Sequence, residues 1–446
     1  MKEKSTRREF IQNTAVTAAG LSLGFHALGS KPSSRILGAN DRIQMGFIGV
    51  GNRGSQLMKL FKEQTDCDVV GICDIYGPYI QRLDMKALNQ PIIYDDYRKL
   101  LDNKNIDAVC IATPDHWHAL QTIHAIQAGK DVYVEKPLTI TIFEGRKMVD
   151  VQTASKQIVA VGLNRRGSAT YQNLAKEISG GKIGKVSVAR AFRINNLFPD
   201  GIGKMQPEPP PKDFNWDVWL GPRAYRPYQA NIAPYKFRWW SEYSSQMGNW
   251  GVHFMDVIRW MLGETAPVAI SAHGGKYILD HDGDIPDTMQ VTYEFASGSI
   301  ASFCIYEASS GGLFPYGEVE LRGTKGTLYS SEGGYKIIPT SPGQFQKWEK
   351  LMEGADFIAP NEMLTDGSSG DSTANLVRNF LDCVKSRKTP YCPLEEGHRS
   401  TSFAHLANIA LSVHERLIWD PVKESFTNSK AANKLLHYEY RKPWKL

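Results

Sequence analysis

The sequence predicts an α/β chain: first a doubly wound parallel sheet, then an α+β region with a large, mostly antiparallel open sheet and helices. Two observations carry this. Over residues 42–74 an apolar run ends in Gly49-x-Gly51-x-x-Gly54, an amphipathic segment with Leu57, Leu60 and Phe61 follows, and a second apolar run stops at Asp74. Beyond residue 186, short stretches alternate apolar and polar residues and are parted by turn residues such as Ser297-Gly298 and Gly323-Thr324, the pattern of antiparallel hairpins.

Strand, glycine turn, helix, strand and carboxylate, in that order, are what a dinucleotide-binding unit requires. Gly49 permits the tight turn, Gly51 lets the backbone approach a pyrophosphate, and Gly54 lets the helix pack closely on the strand. The amides that open the helix, at Asn52 and Arg53, are unpaired donors with a partial positive charge and suit a diphosphate. Asp74, 20 positions beyond Gly54, would take the ribose hydroxyls and repel a 2′-phosphate, so NAD(H) is expected over NADP(H). A glycine-rich surface turn would leave Asp74 unexplained.

A chain of 446 residues suggests two or three domains. Its 42% hydrophobic and 22% charged residues describe an ordinary globular protein, and the net charge of +5 has no concentrated basic stripe behind it, which argues against nucleic acid. No membrane span is expected within the body of the chain. Residues 1–30 differ: Lys2 and Lys4 precede Arg7-Arg8, a Phe follows, and a modest apolar segment comes next. This resembles a twin-arginine export signal, which serves proteins exported already folded, so a periplasmic or exported location is expected. The other reading is a disordered basic tail. Cys67, Cys73, Cys110, Cys304, Cys383 and Cys392 form no Cys-x-x-Cys pair and read as buried free thiols, and no metal site is expected.

After Asp74 the alternation continues. Residues 106–113 are a near-continuous apolar strand ending at Thr113-Pro114-Asp115-His116-Trp117-His118, where α/β sheets place ligands. Residues 118–128 read as a helix capped by Gly129, and residues 131–134 as a strand ending in Glu135-Lys136-Pro137. A lysine at that strand end, beside a cofactor, would sit in a partly dry place that lowers its pKa; it could bond a substrate hydroxyl while hydride leaves the neighbouring carbon. Pro137 fixes the turn that aims it. Asn164 and Arg165 follow another strand into the same cleft, with a structural ion pair the alternative for Arg165.

The glycine motif, Ala-Thr-Pro-Asp-His-Trp-His, Gly-Lys-Asp-Val-Tyr-Val-Glu-Lys-Pro-Leu and the later Gly-Val-His-x-x-Asp together resemble the Gfo/Idh/MocA family. The resemblance covers nearly all of residues 42–446. It implies a Rossmann domain joined to a domain on a large open sheet, and NAD(P)-dependent oxidation or reduction of a sugar or cyclitol at a secondary alcohol. It also implies that Thr113, Pro114, Glu135 and Lys136 lie at the cofactor, that the position of His116 lies near it, and that Asn164 and Arg165 contact substrate or nicotinamide. His118 is expected to start its helix and face solvent. The expected division is residues 1–30 signal, 42–165 NAD-binding domain, and 166–446 substrate and oligomerisation domain.

Within the second half, residues 195–250 are a long insertion crowded with aromatics: Trp216, Trp219, Tyr225, Tyr228, Tyr235, Trp239, Trp240 and Tyr243. Sugars pack flat C–H faces on such rings, so the cluster, with Trp239 and Trp240 foremost, is expected to contact carbohydrate. Residues 248–263 form a second catalytic element with a helical apolar face. Asn249, His253 and Asp256 are spaced to project from one face, and a histidine held beside Lys136 would be a proton acceptor titrating near neutral pH. The family often carries Asp where this chain has Asn249. Asn cannot accept a proton, so proton transfer would fall on His253 or Lys136, with Asp256 behind.

Residues 371–385 and 395–417 read as two amphipathic helices packed on the nucleotide half or the back of the sheet, and residues 418–446 as an ordered surface tail. The leading expectation is an exported NAD-dependent sugar, glycoside or cyclitol dehydrogenase or reductase. A redox-assisted glycosidase with retained NAD and a non-catalytic sugar-binding module are the alternatives. The open sheet face makes a dimer or tetramer expected.

Overall fold

Residues 42–359 and 370–446 are described by a computed structural model. The twin-arginine segment lies outside the described residues. Six short apolar runs form a parallel sheet: β1 (Ile43–Ile48), β2 (Cys67–Cys73), β3 (Ile92–Tyr94), β4 (Ala108–Ile111), β5 (Asp131–Val134) and β6 (Val159–Val161), in the order β3-β2-β1-β4-β5-β6. β4, β5 and β6 are buried at every position, as a parallel sheet covered on both faces demands. The strand order reverses between β1 and β4, so the ligand crevice opens at their carboxyl ends, beside Gly49 and Thr113. Helix α1 (Asn52–Lys62) covers one face with Leu57 and Phe61; helices α2 (Tyr97–Asp102) and α3 (His118–Gln127) and α4 (Ile142–Thr153) complete the layers. A capping box between Thr141 and Glu144 sets the start of α4.

Among the described residues the second sheet has ten strands. After helix α5 (Ala169–Ser179) come β7 (Val186–Ile194), helix α6 (Val252–Leu262), β8 (Ala269–Gly275), β9 (Thr288–Glu294), β10 (Ile300–Tyr306), β11 (Val319–Gly323), β12 (Gly326–Ser331), β13 (Gly334–Pro339) and β14 (Ala355–Ile358). Helices α7 (Ser372–Ser386) and α8 (Leu394–Val413) precede β15 (Leu417–Asp420) and β16 (Ser425–Phe426). The order is β14-β13-β12-β11-β7-β10-β9-β8-β15-β16; β7 and β10 run parallel and the other named pairs antiparallel. Alternation buries one face under α5, α6 and α8, where Phe254 meets Phe303 at 5.4 Å and Tyr293 meets Phe403 at 5.1 Å.

Two expectations need correction here. Helix α7 is one-sided as expected, and it lays Phe380 5.8 Å from Tyr133 and 6.1 Å from Phe61 of the nucleotide half. Helix α8 is not amphipathic: it is buried on nearly all sides, because it lies between α4 on one side and α6 and β8 on the other. The segment 418–446 is no mere surface tail, since Trp444 packs edge-on against Trp117 at 4.8 Å and helps wall the crevice. All six cysteines are buried free thiols. No helix among the described residues is long and apolar enough to cross a membrane.

Candidate active site

Gly49 takes φ +83°, and a Cβ there would stand 2.8 Å from the Ala112 carbonyl oxygen. At Gly54 a Cβ would lie 2.1 Å from the Gly49 carbonyl oxygen, so the helix can approach the strand only without a side chain. Asp74 closes the turn: its two carboxylate oxygens accept the Val50 N–H at 2.8 Å and the Tyr76 N–H at 2.9 Å, while burial pushes its pKa up. A cavity of about 300 Å³ runs past Gly49, Gly51, Asn52, Arg53 and Asp74 to Thr113 and Pro114, with Tyr79, Trp117 and Trp444 among its walls.

This cleft fits a dinucleotide. The first turn of α1 carries neither a side-chain cap nor an acidic residue, so its N–H groups are left for a diphosphate. Outside that lining, Asn164 Oδ1, Arg165 Nε and His253 Nδ1 are buried without a partner, and the charge of Arg53, which lines the cavity, bears on His253. Orphaned buried polar atoms of this kind are what a bound ligand satisfies.

β5 delivers the reactive pair of groups. The Glu135 carboxylate accepts from Arg53 at 2.7 Å and from the Lys136 backbone N–H at 3.0 Å, which ties the glycine helix to the strand end. Gly162 makes room for it, since a Cβ there would stand 2.8 Å from that carboxylate. Lys136, half-buried, donates from Nζ to the Asn249 carbonyl at 2.7 Å and to Asn249 Oδ1 at 3.2 Å. Asn249 stands in a wide π-turn, Met247–Gly251, of the kind often found at functional sites. Burial drives the Lys136 pKa down to about 8, against the pull of Glu135 and Asp115. Asp115 itself lies buried and accepts a hydrogen bond from the Ser244 hydroxyl.

His253 is buried beside this group, and burial followed by the charges of Lys136, Arg165 and Arg53 holds its pKa well below the ordinary value. The expectation of a histidine titrating near neutral pH is therefore corrected: it is neutral there, and the titration belongs to Lys136. Introducing a carboxylate by Asn249→Asp is expected to favour charged Lys136 and move the midpoint of the pH–rate profile up by about 1–2 units; a profile that stays put would mean that Lys136 does not control it.

Other expected contacts fall elsewhere. Asp256 is not a substrate group: it is fully buried, grips Arg166 through both oxygens at 3.0 Å and accepts from Ser400 at 2.6 Å. A carboxylate in so dry a place needs a cation, and Arg166 supplies it. His116 is turned from the cleft, with Nε2 2.8 Å from the Trp219 carbonyl oxygen and its pKa pushed by burial to about 3; Trp117 takes the wall instead. His118 does not face solvent but joins the carbonyls of Pro137 and Thr113 at 2.7 and 2.8 Å, so it braces the two strand ends. Asn164 Nδ2 donates to Glu332 at 3.0 Å, and Arg165 pairs with Glu318 at 3.3 Å with its guanidinium 4.7 Å over Phe254.

The aromatic cluster is mostly a core of its own. Trp216, Trp219, Tyr228, Trp240 and Tyr243 bury together with Phe214 and Phe237, and the Trp240 N–H is satisfied by the Asn231 carbonyl at 2.9 Å. A long insertion needs apolar burial to offset its ordering entropy, and these rings provide it. Trp240 is thus a packing residue, whereas Trp239 is half-buried and donates its indole N–H to Glu307 at 2.6 Å. Among the described residues no group of three or more His, Cys, Asp or Glu could hold a metal ion.

Residues 43–163 match the family model of an oxidoreductase family's NAD-binding Rossmann fold, and residues 169–331 and 362–446 match that of its C-terminal alpha/beta domain. The chain belongs to the Gfo/Idh/MocA oxidoreductase family. NAD is the cofactor of this fold. Within the family's range, a myo-inositol 2-dehydrogenase of Thermotoga maritima is 23% identical over 377 residues, which is 83% of this chain and 96% of that protein. A glycosyl hydrolase family 109 protein of Shewanella pealeana is 32% identical over 167 residues, 33% of this chain; the match spans little more than a third, 37%, of that relative's length. Levoglucosan dehydrogenase, solved with NADH and levoglucosan, shares the fold with a TM-score of 0.63 at 19% identity, covering 85% of this chain and 99% of that one.

Proposed function

We propose that this Gfo/Idh/MocA chain is an NAD-dependent dehydrogenase or reductase acting on a secondary alcohol of a sugar, glycoside or cyclitol. The observation that carries it is the meeting of Lys136 Nζ with Asn249 beside the unpartnered Nδ1 of buried His253. Bound NAD supplies the hydride acceptor for oxidation and, reduced, the hydride for the reverse. Lys136, deprotonated above about pH 8, takes the hydroxyl proton of the substrate. Neutral His253 bonds the same oxygen, and Asn249 Oδ1 keeps the lysine aimed at it. The Arg53–Glu135 pair holds the floor of the cleft. The myo-inositol and levoglucosan dehydrogenases, named for polyhydroxylated rings, support the substrate class.

A redox-assisted glycosidase is the second reading, favoured by the 32% identity of the Shewanella pealeana relative over part of the chain. The purified protein, tested for bound nicotinamide absorbance and then given myo-inositol, hexoses and p-nitrophenyl glycosides, separates the two. Accumulating NADH supports the dehydrogenase, nitrophenol release without net NADH supports the glycosidase, and neither product overturns both. Export rests on the twin-arginine segment around Arg7 and Arg8. Association as a dimer or tetramer would cover the bare face of the large sheet, where Ile300 and Ile338 stand exposed.

A further inference from the structure

The core-facing row of β7 runs Ala189, Ala191 and then Arg193, and that of β10 runs Ala301, Phe303 and Ile305, with Glu307 one residue past the strand's end. In both strands the alternation that buries apolar side chains continues straight into a charge. β7 and β10 are parallel neighbours with Arg193 opposite Ile305, so the two charges finish adjacent rows at one end of the sheet. The π-turn that presents Asn249 to Lys136 comes to the same end, because the Arg193 guanidinium lies 3.7 Å over the ring of Trp250.

Neither charge has its hydrogen bonding filled by described residues. Among the described residues Arg193 forms no ion pair, and its Nε is buried without a hydrogen-bond partner. Glu307 is 2% exposed; its Oε2 accepts from Trp239 at 2.6 Å, and no described residue donates to Oε1. Desolvation lowers the pKa of half-buried Arg193 and raises that of buried Glu307. Such groups cost free energy unless something completes their bonding. Arg165 connects them to the reacting groups, since its charge bears on His253 as well as on Arg193 while it pairs with Glu318 at 3.3 Å.

We propose that Arg193 and Glu307 read two neighbouring hydroxyls of a neutral carbohydrate ring whose reacting carbon lies at Lys136. The proposal rests on the dehydrogenase reading and names a substrate subsite for it. A guanidinium only donates and a carboxylate only accepts, so a diol, which does both, completes the pair. Arg165 and Arg193 are balanced in net charge by Glu318 and Glu307, so these four groups offer no net positive charge to an acidic sugar. Trp250 is covered by Arg193, so the ring is held by its hydroxyls on this side.

The test uses the full chain with NAD and a panel of myo-inositol, levoglucosan, glucose and galactose, against glucuronate and galacturonate. A neutral member is expected to turn over with kcat/KM at least about tenfold above its acidic counterpart, and Arg193→Gln and Glu307→Gln should each raise its KM about tenfold or more with kcat little changed. NADH affinity, read by fluorescence, and thermal stability should stay as in the parent. The deoxy analogue lacking one hydroxyl of the pair should gain no further KM penalty in the variants. A preference for uronates, or an unmoved KM in both variants while NAD reduction persists, overturns the subsite and leaves the dehydrogenase standing. If no panel member reduces NAD and none binds, the dehydrogenase reading falls and takes the subsite with it.

Discussion

Replacing Lys136 with methionine is expected to lower turnover by about 10²- to 10⁴-fold, the scale of a lost general acid–base group. The pH dependence gives the sign. With a pKa of about 8, Lys136 is charged below that pH and neutral above it, so kcat/KM for alcohol oxidation should rise with pH and level off beyond about 8; for carbonyl reduction it should fall over the same range. The methionine variant should lose this limb in both directions. Stability also rises with pH, over the window above the folded-state pKa. A folded-state pKa of about 8 against an ordinary 10.5 means that holding the charge costs free energy below about pH 8, a cost relieved as pH rises from there towards 10.5. At roughly 1.4 kcal/mol per unit, removing that charge should leave the variant as stable as the parent at pH 7, or more so by up to ~3 kcal/mol. Denaturant melts alongside steady-state rates check both; a variant that keeps its turnover removes Lys136 from the mechanism.

Asp256→Ala is expected to destabilise the fold by about 3–5 kcal/mol, because it strips a buried guanidinium of the carboxylate that holds it through both oxygens. Arg166 keeps Glu396 at 2.8 Å, which places the effect towards the lower end. In the fraction that remains folded, KM for the carbohydrate should match the parent. Urea unfolding and KM measured on the same preparation decide it: a large rise in KM with unchanged stability would put Asp256 back at the substrate.

These two residues mark the border of what the sequence discloses. Gly49, Gly51, Gly54, Asp74 and Lys136 are legible because each acts within a contiguous motif whose backbone geometry is set locally. Asn249 meeting Lys136 is legible from the family resemblance and helical spacing together. Asp256 lies on the same helix with suitable spacing, yet a distant arginine claims it, and spacing contains no information about partners. His118 fails for the same reason: both of its carbonyl partners come from strand ends brought together by the fold. Trp240 and its neighbours look like a sugar platform when counted along the chain, and only packing shows that their faces are already occupied. Arg193 and Glu307 could have been flagged by a charge closing an otherwise apolar alternating row. The parallel pairing of β7 with β10, which makes them neighbours, was beyond any local pattern.

The seating of Phe380 against Phe61 and Tyr133 has a consequence for how the molecule is made. A ribosome emits the six strands of the first sheet early, but the helix that seals their aromatic flank emerges only after β7 to β14 of the second sheet have been synthesised. Until then the nascent chain carries an unsealed greasy flank and a crevice missing Trp444. Competence to take up the nucleotide therefore comes late in biogenesis, after translation has passed the far side of the molecule.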